Sequence, residues 1–100
     1  MFTLKQLQKA VSKTTYPKEF SDLFVNALFE NINMLSQTLS VNSKSRWVAH
    51  AMYWVFLTQP NKLSRQEFVD GLEVFLNALF PAQVDDNLKV VRFLRGLFPK

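Results

Sequence analysis

A chain of 100 residues holds enough material for one domain and too little for two. Its 48% hydrophobic content excludes a disordered tail, and two Gly and four Pro exclude collagen-like or low-complexity sequence. The absence of Cys excludes a disulfide framework, a zinc ribbon and thiol chemistry, and points to a reducing, cytoplasmic setting.

Net charge is +4 and unevenly spread. Met1 to Lys18 carries four Lys and no acid, Gln66 to Leu88 five acids and no base, and Lys89 to Lys100 four bases and no acid. Basic ends suit a phosphate backbone or an acidic partner. The longest apolar run, Ala51 to Leu57, is too short to span a membrane, which takes roughly 20 residues. The N-terminus lacks the apolar core and cleavage site of a signal peptide.

Period-two alternation and Asn-Gly or Asp-Gly turns are missing, while helical spacing is present almost throughout. Thr3 caps a first helix running to about Lys13, with Leu4, Leu7, Ala10 and Val11 on one side and Lys5, Lys9 and Lys13 on the other. Pro17 opens a second helix to Leu39. Its apolar face includes Phe20, Leu23, Phe24, Ala27, Leu28, Ile32, Met34, Leu35 and Leu39, with Asn31 among them. Phe29 falls on the polar side and, with Val25, marks the edge of a possible interface.

After a polar connection with Asn42 or Ser43 as cap, a third helix covers Lys44 to Thr58. Apolar side chains point in every direction from Trp47 to Leu57, so this helix is expected at the dry centre of the fold. Its least apolar strip, Arg46, His50 and Tyr53, is expected at the surface as part of a binding face. Gln59-Pro60-Asn61 ends it. Ser64 and Glu67 form a capping box for a fourth helix to about Phe80, with Phe68, Leu72, Phe75, Leu76 and Leu79 inward. Gly71 weakens that helix by about 1 kcal/mol unless something packs closely against it. A fifth helix begins near Asp85-Asp86; Val90, Val91, Phe93, Leu94, Leu97 and Phe98 line one half, and Lys89, Arg92 and Arg95 the other. The expected fold is all-α: a single compact domain, residues 1–100, of about five helices around the central apolar one.

Chemistry is sparse. One His and no Cys cannot make a zinc site within one chain, His50 has no triad context, and two Gly cannot form a phosphate loop. Leu63 to Leu72 has the letters of an EF-hand exit helix, but Phe56, Thr58, Pro60 and Asn61 stand where a calcium loop needs carboxylates and glycine. No cofactor, metal, catalytic residue or small-molecule substrate is expected.

Ten Phe and two Trp exceed what so small a core requires. The sequence therefore reads first as a non-enzymatic module binding another protein or a second copy of itself. The alternative is a helical subunit touching an RNA or DNA backbone through Lys5, Lys9, Lys13, Lys89, Arg92 and Arg95. Membrane-surface contact through Phe2, Leu4 and the first-helix lysines ranks below both, because a three-turn helix needs that apolar face for the core.

Overall fold

The described chain forms five helices: α1 (Leu4–Val11), α2 (Lys18–Thr38), α3 (Lys44–Thr58), α4 (Arg65–Leu79) and α5 (Val84–Leu97). The structure, a computed structural model, describes residues 3–38, 44–58 and 63–97, excepting the side chains of 31–38, 44 and 97. Phe2, the Asn42/Ser43 cap, the Gln59-Pro60-Asn61 stop and Phe98, together with the side chains of Asn31, Ile32, Met34, Leu35 and Leu97, lie outside the described residues. No strand occurs among the described residues, so the all-α expectation holds.

Local chemistry sets the helix starts. Ser64 and Glu67 exchange the expected reciprocal bonds, Glu67 N–H to Ser64 Oγ at 3.1 Å and Ser64 N–H to Glu67 Oε1 at 3.2 Å. Thr3 and Gln6 do the same at the start of α1. That helix stops at Val11, two residues short of Lys13, because hydroxyls take over its last carbonyls: Ser12 Oγ donates to Lys9 O and Thr14 Oγ1 to Val11 O.

The core collects phenyl rings from three helices. Phe56 of α3 stacks on Phe68 of α4 at 4.5 Å between centroids, and Phe24 of α2 meets Phe75 of α4 edge-on at 4.9 Å. Phe68, Leu72, Phe75 and Leu76 of α4 are fully buried, with α1, α3 and α5 packed on that helix and Phe24 reaching it from α2.

Helix α3 lies among α2, α4 and α5, and Val48, Ala49, Met52, Val55 and Phe56 are buried. It is not dry all round, however: Trp54 is 67% exposed and Leu57 50%. The backbone of α1 packs closely on α2 and α4 and not on α3, whose close backbone neighbours among the described residues are α2, α4 and α5.

Two polar contacts tie the helices together. The buried Tyr16, in the α1–α2 connection, donates its hydroxyl to Phe68 O of α4, and its ring lies against Gly71. At the other end of the bundle, the buried Asn87 of α5 donates to Leu76 O, Asn77 Oδ1 and Phe80 O, and accepts from the Ser45 hydroxyl of α3. One side chain thus adds a second hydrogen bond to the Leu76 and Phe80 carbonyls, which already accept from Phe80 N–H and Gln83 N–H, and joins α3, α4 and α5.

Candidate functional site

Ser45 and Asn87 stand in the first turns of α3 and α5, so their hydrogen bond brings the two helix starts together. Beyond that bond the helices leave a groove of about 770 Å³ between them. Arg46, Ala49, His50 and Tyr53 line it from α3. Lys89, Val90, Phe93 and Leu94 line it from α5.

The expected strip Arg46, His50 and Tyr53 is therefore gathered at one site, joined by Lys89 from the proposed basic face. Arg46, His50 and Lys89 are exposed; Tyr53 is half-buried, its ring edge-on to Phe68 at 6.5 Å. Ala49 and Leu94 are buried and form apolar parts of the lining. Phe93, expected in the core, is 66% exposed on the α5 wall. The core side of α5 is set by Val91 and Leu94, and the turn between them carries Phe93 outward. The described lining includes no Asp, Glu, Ser or Thr, so it offers His50 neither the carboxylate nor the Ser or Thr hydroxyl of a triad.

Val25 does not edge a surface patch. It is 3% exposed, on the buried arc of α2 with Phe24 and Leu28. Phe29 is exposed but stands apart from the groove.

The other basic residues are arranged as two rows. Lys5, Lys9 and Lys13 are exposed at one-turn spacing along and just beyond α1. Lys89, Arg92 and Arg95 are exposed on α5. Both helices pack on α4, and among the described residues their backbones do not approach each other closely. Arg95 is already engaged, with Nη2 2.9 Å from Asp70 Oδ1. Its hydrogen bond, and then the one from Gln66, hold the Asp70 carboxyl below the usual carboxylate range.

A smaller polar hollow of about 360 Å³ lies between α1 and α2, with Gln8, Ser12, Lys18 and Asp22 on its walls. Among the described residues no group of three His, Asp or Glu is placed to hold a metal ion. No helix among them is long and apolar enough to cross a membrane.

Sequence reasoning found Arg46, His50, Tyr53 and Lys89 but missed Ala49, Val90, Phe93 and Leu94 as groove walls. The available signal was the one-turn spacing of Lys89 and Phe93, which puts the phenyl on the same side as an obligatorily wet lysine. The chain matches no protein-family model, no curated protein and no solved structure.

Proposed function

We propose that this protein is a non-enzymatic helical module that seats a short segment of a partner protein in the α3–α5 groove. The observation that supports this reading is Phe93, a large aromatic left mostly in water on the wall of a concave, largely apolar site. An open groove with an aromatic wall, an apolar floor and a few charges at its rim is how helix-binding surfaces are built. Its volume is also within the range of specific binding sites, roughly 300–1,000 Å³.

A photo-crosslinking residue placed at Phe93 tests the reading in cells that produce the protein, with the same residue at the exposed Val74 of α4 as control. The expected result is a protein adduct specific to position 93. Adducts at neither position, equal adducts at both, or adducts only to a second copy would overturn it. A phosphate-backbone reading retains support from the exposed Lys5, Lys9 and Lys13 row, and an RNA or DNA adduct that weakens steeply with salt would favour it instead.

A further inference from the structure

Resting on the phosphate-backbone reading of the α1 lysine row, we propose that a single strand of RNA or DNA lies along the outer face of α1, with one unstacked base seated in the α1–α2 hollow and its amino group on Asp22.

The backbone contacts come from charge that the fold leaves unpaired. Lys5, Lys9, Lys13 and Lys18 are exposed, and among the described residues none of them is in an ion pair. Arg95, by contrast, is held by Asp70. Lysines four apart recur on one side of a helix with a rise of about 6 Å. The other side of α1 belongs to the core: Leu7, Ala10 and Val11 are buried and Leu4 packs against the same cluster. What the described part of α1 turns outward is Lys, Gln and Ser, which suits a hydrated phosphate chain and gives a lipid surface no apolar anchor.

The hollow opens beside that row. Gln8 and Ser12 line it from α1. At about 100° per residue, Ser12 falls between Gln8 and Lys5 around the helix, so a strand following the lysines passes the rim. Lys18 lines the hollow from the start of α2, where it can take the next phosphate. The volume of about 360 Å³ is at the lower end for specific small-ligand sites, roughly 300–1,000 Å³. Val11, Tyr16 and Val25 are buried and give the lining an apolar part for a flat ring. Gln8, Asp22 and Asn26 add amide and carboxylate groups whose side chains have no hydrogen-bond partner among the described residues.

Asp22 decides which part of a nucleotide goes where. Its carboxylate repels a phosphate, so the phosphates belong on the lysines and the base in the hollow. A carboxylate accepts from the exocyclic amino group of cytosine, whereas uracil and thymine present a carbonyl at that position. Cytosine is therefore favoured over uracil. A base paired in a duplex cannot enter, which makes the occupant a single strand. The hollow shares no lining residue with the α3–α5 groove, so the two sites are separate.

Fluorescence anisotropy of labelled short oligocytidine and oligouridine with the full chain, across a range of salt concentrations, is the test. The logarithm of affinity is expected to fall against the logarithm of salt with a slope of about −3, the value for four lysine contacts to a single strand. Combining Lys5→Gln, Lys9→Gln and Lys13→Gln, all at exposed positions and checked for folding by circular dichroism, should bring the slope to about −1 and cost about tenfold or more at low salt on both oligonucleotides. Oligocytidine should bind about fivefold tighter than oligouridine. Asp22→Asn should bring the two together, because an amide can donate to one base and accept from the other. Phe93→Asp should bind both as the parent does. Equal affinity for the two oligonucleotides, or a preference that survives Asp22→Asn, overturns the seated base while the lysine-row reading stands. Affinity that ignores salt or the triple substitution, or binding to phosphatidylserine vesicles with none to either oligonucleotide, overturns that reading as well. A loss on Phe93→Asp would place the strand in the other groove and overturn both.

Discussion

Tyr16 occupies the space that a side chain at Gly71 would need. A Cβ built there would fall inside the phenol ring, whose hydroxyl donates to the carbonyl of Phe68, three residues earlier on α4. The glycine lets the α1–α2 connection lie directly against α4. Its backbone has no positive φ, so it is required for space and not for conformation.

Gly71→Ala is therefore expected to destabilise the fold by about 1–3 kcal/mol, although in an open helix the same change gains up to about 1 kcal/mol. Gly96, with nothing within 4 Å of its would-be Cβ, is the control: Gly96→Ala should be neutral or slightly stabilising. Urea titration of the two variants checks this, and a Gly71→Ala protein more stable than the parent would contradict the packing account.

Burial, and secondarily the negative charge of Asp70, push the Tyr16 phenol above its ordinary pKa. A group with a raised folded-state pKa contributes stability that is complete below its unfolded value and is lost as pH climbs past it. Stability should accordingly fall as pH rises above about 10. Tyr16→Phe should cost about 1 kcal/mol at neutral pH through the lost hydrogen bond, and should flatten the alkaline decline. Denaturation midpoints at pH 7, 9, 10 and 11 measure both effects.

Asn87 accepts from Ser45 and donates to three oxygens at the end of α4. Asn87→Ala would take its acceptor from the buried Ser45 hydroxyl and a second donor from Leu76 O and Phe80 O, which keep their backbone partners, with an expected loss of about 1–3 kcal/mol. Because the bond also joins α3 to α5, amide exchange in the first turns of both helices should rise together. Protection lost in α5 alone would argue against the coupling.

Neighbouring positions on α3 should behave in opposite ways. Met52 is fully buried, so Met52→Ala is expected to cost about 2–5 kcal/mol. Trp54→Gln, at a mostly exposed site, should stay within about 0.5–1 kcal/mol of the parent. Thermal unfolding distinguishes them, and equal losses would restore the picture of a helix buried on every side.

Much of this fold was legible because its signals are local. The bounds of α3, the Ser64–Glu67 box and the close approach at Gly71 follow from caps, spacing and the cost of a helical glycine. What stayed illegible was rotational phase. Where apolar residues surround a helix, as from Trp47 to Leu57, periodicity cannot say which face stays wet, and only the neighbours' placement leaves Trp54 and Leu57 open. The same ambiguity put Phe93 in the core and Val25 at the surface, when the structure does the reverse. The polar strip on α3 had a definite phase, and it led to the groove.

The central claim is that the α3–α5 groove is where a partner protein binds. Its most direct measurement is the affinity of the partner crosslinked at position 93 for the parent protein and for Phe93→Asp. The account predicts a drop of about tenfold or more with the melting temperature nearly unchanged, since the phenyl is mostly solvent-facing. Equal affinity for the two proteins would contradict it.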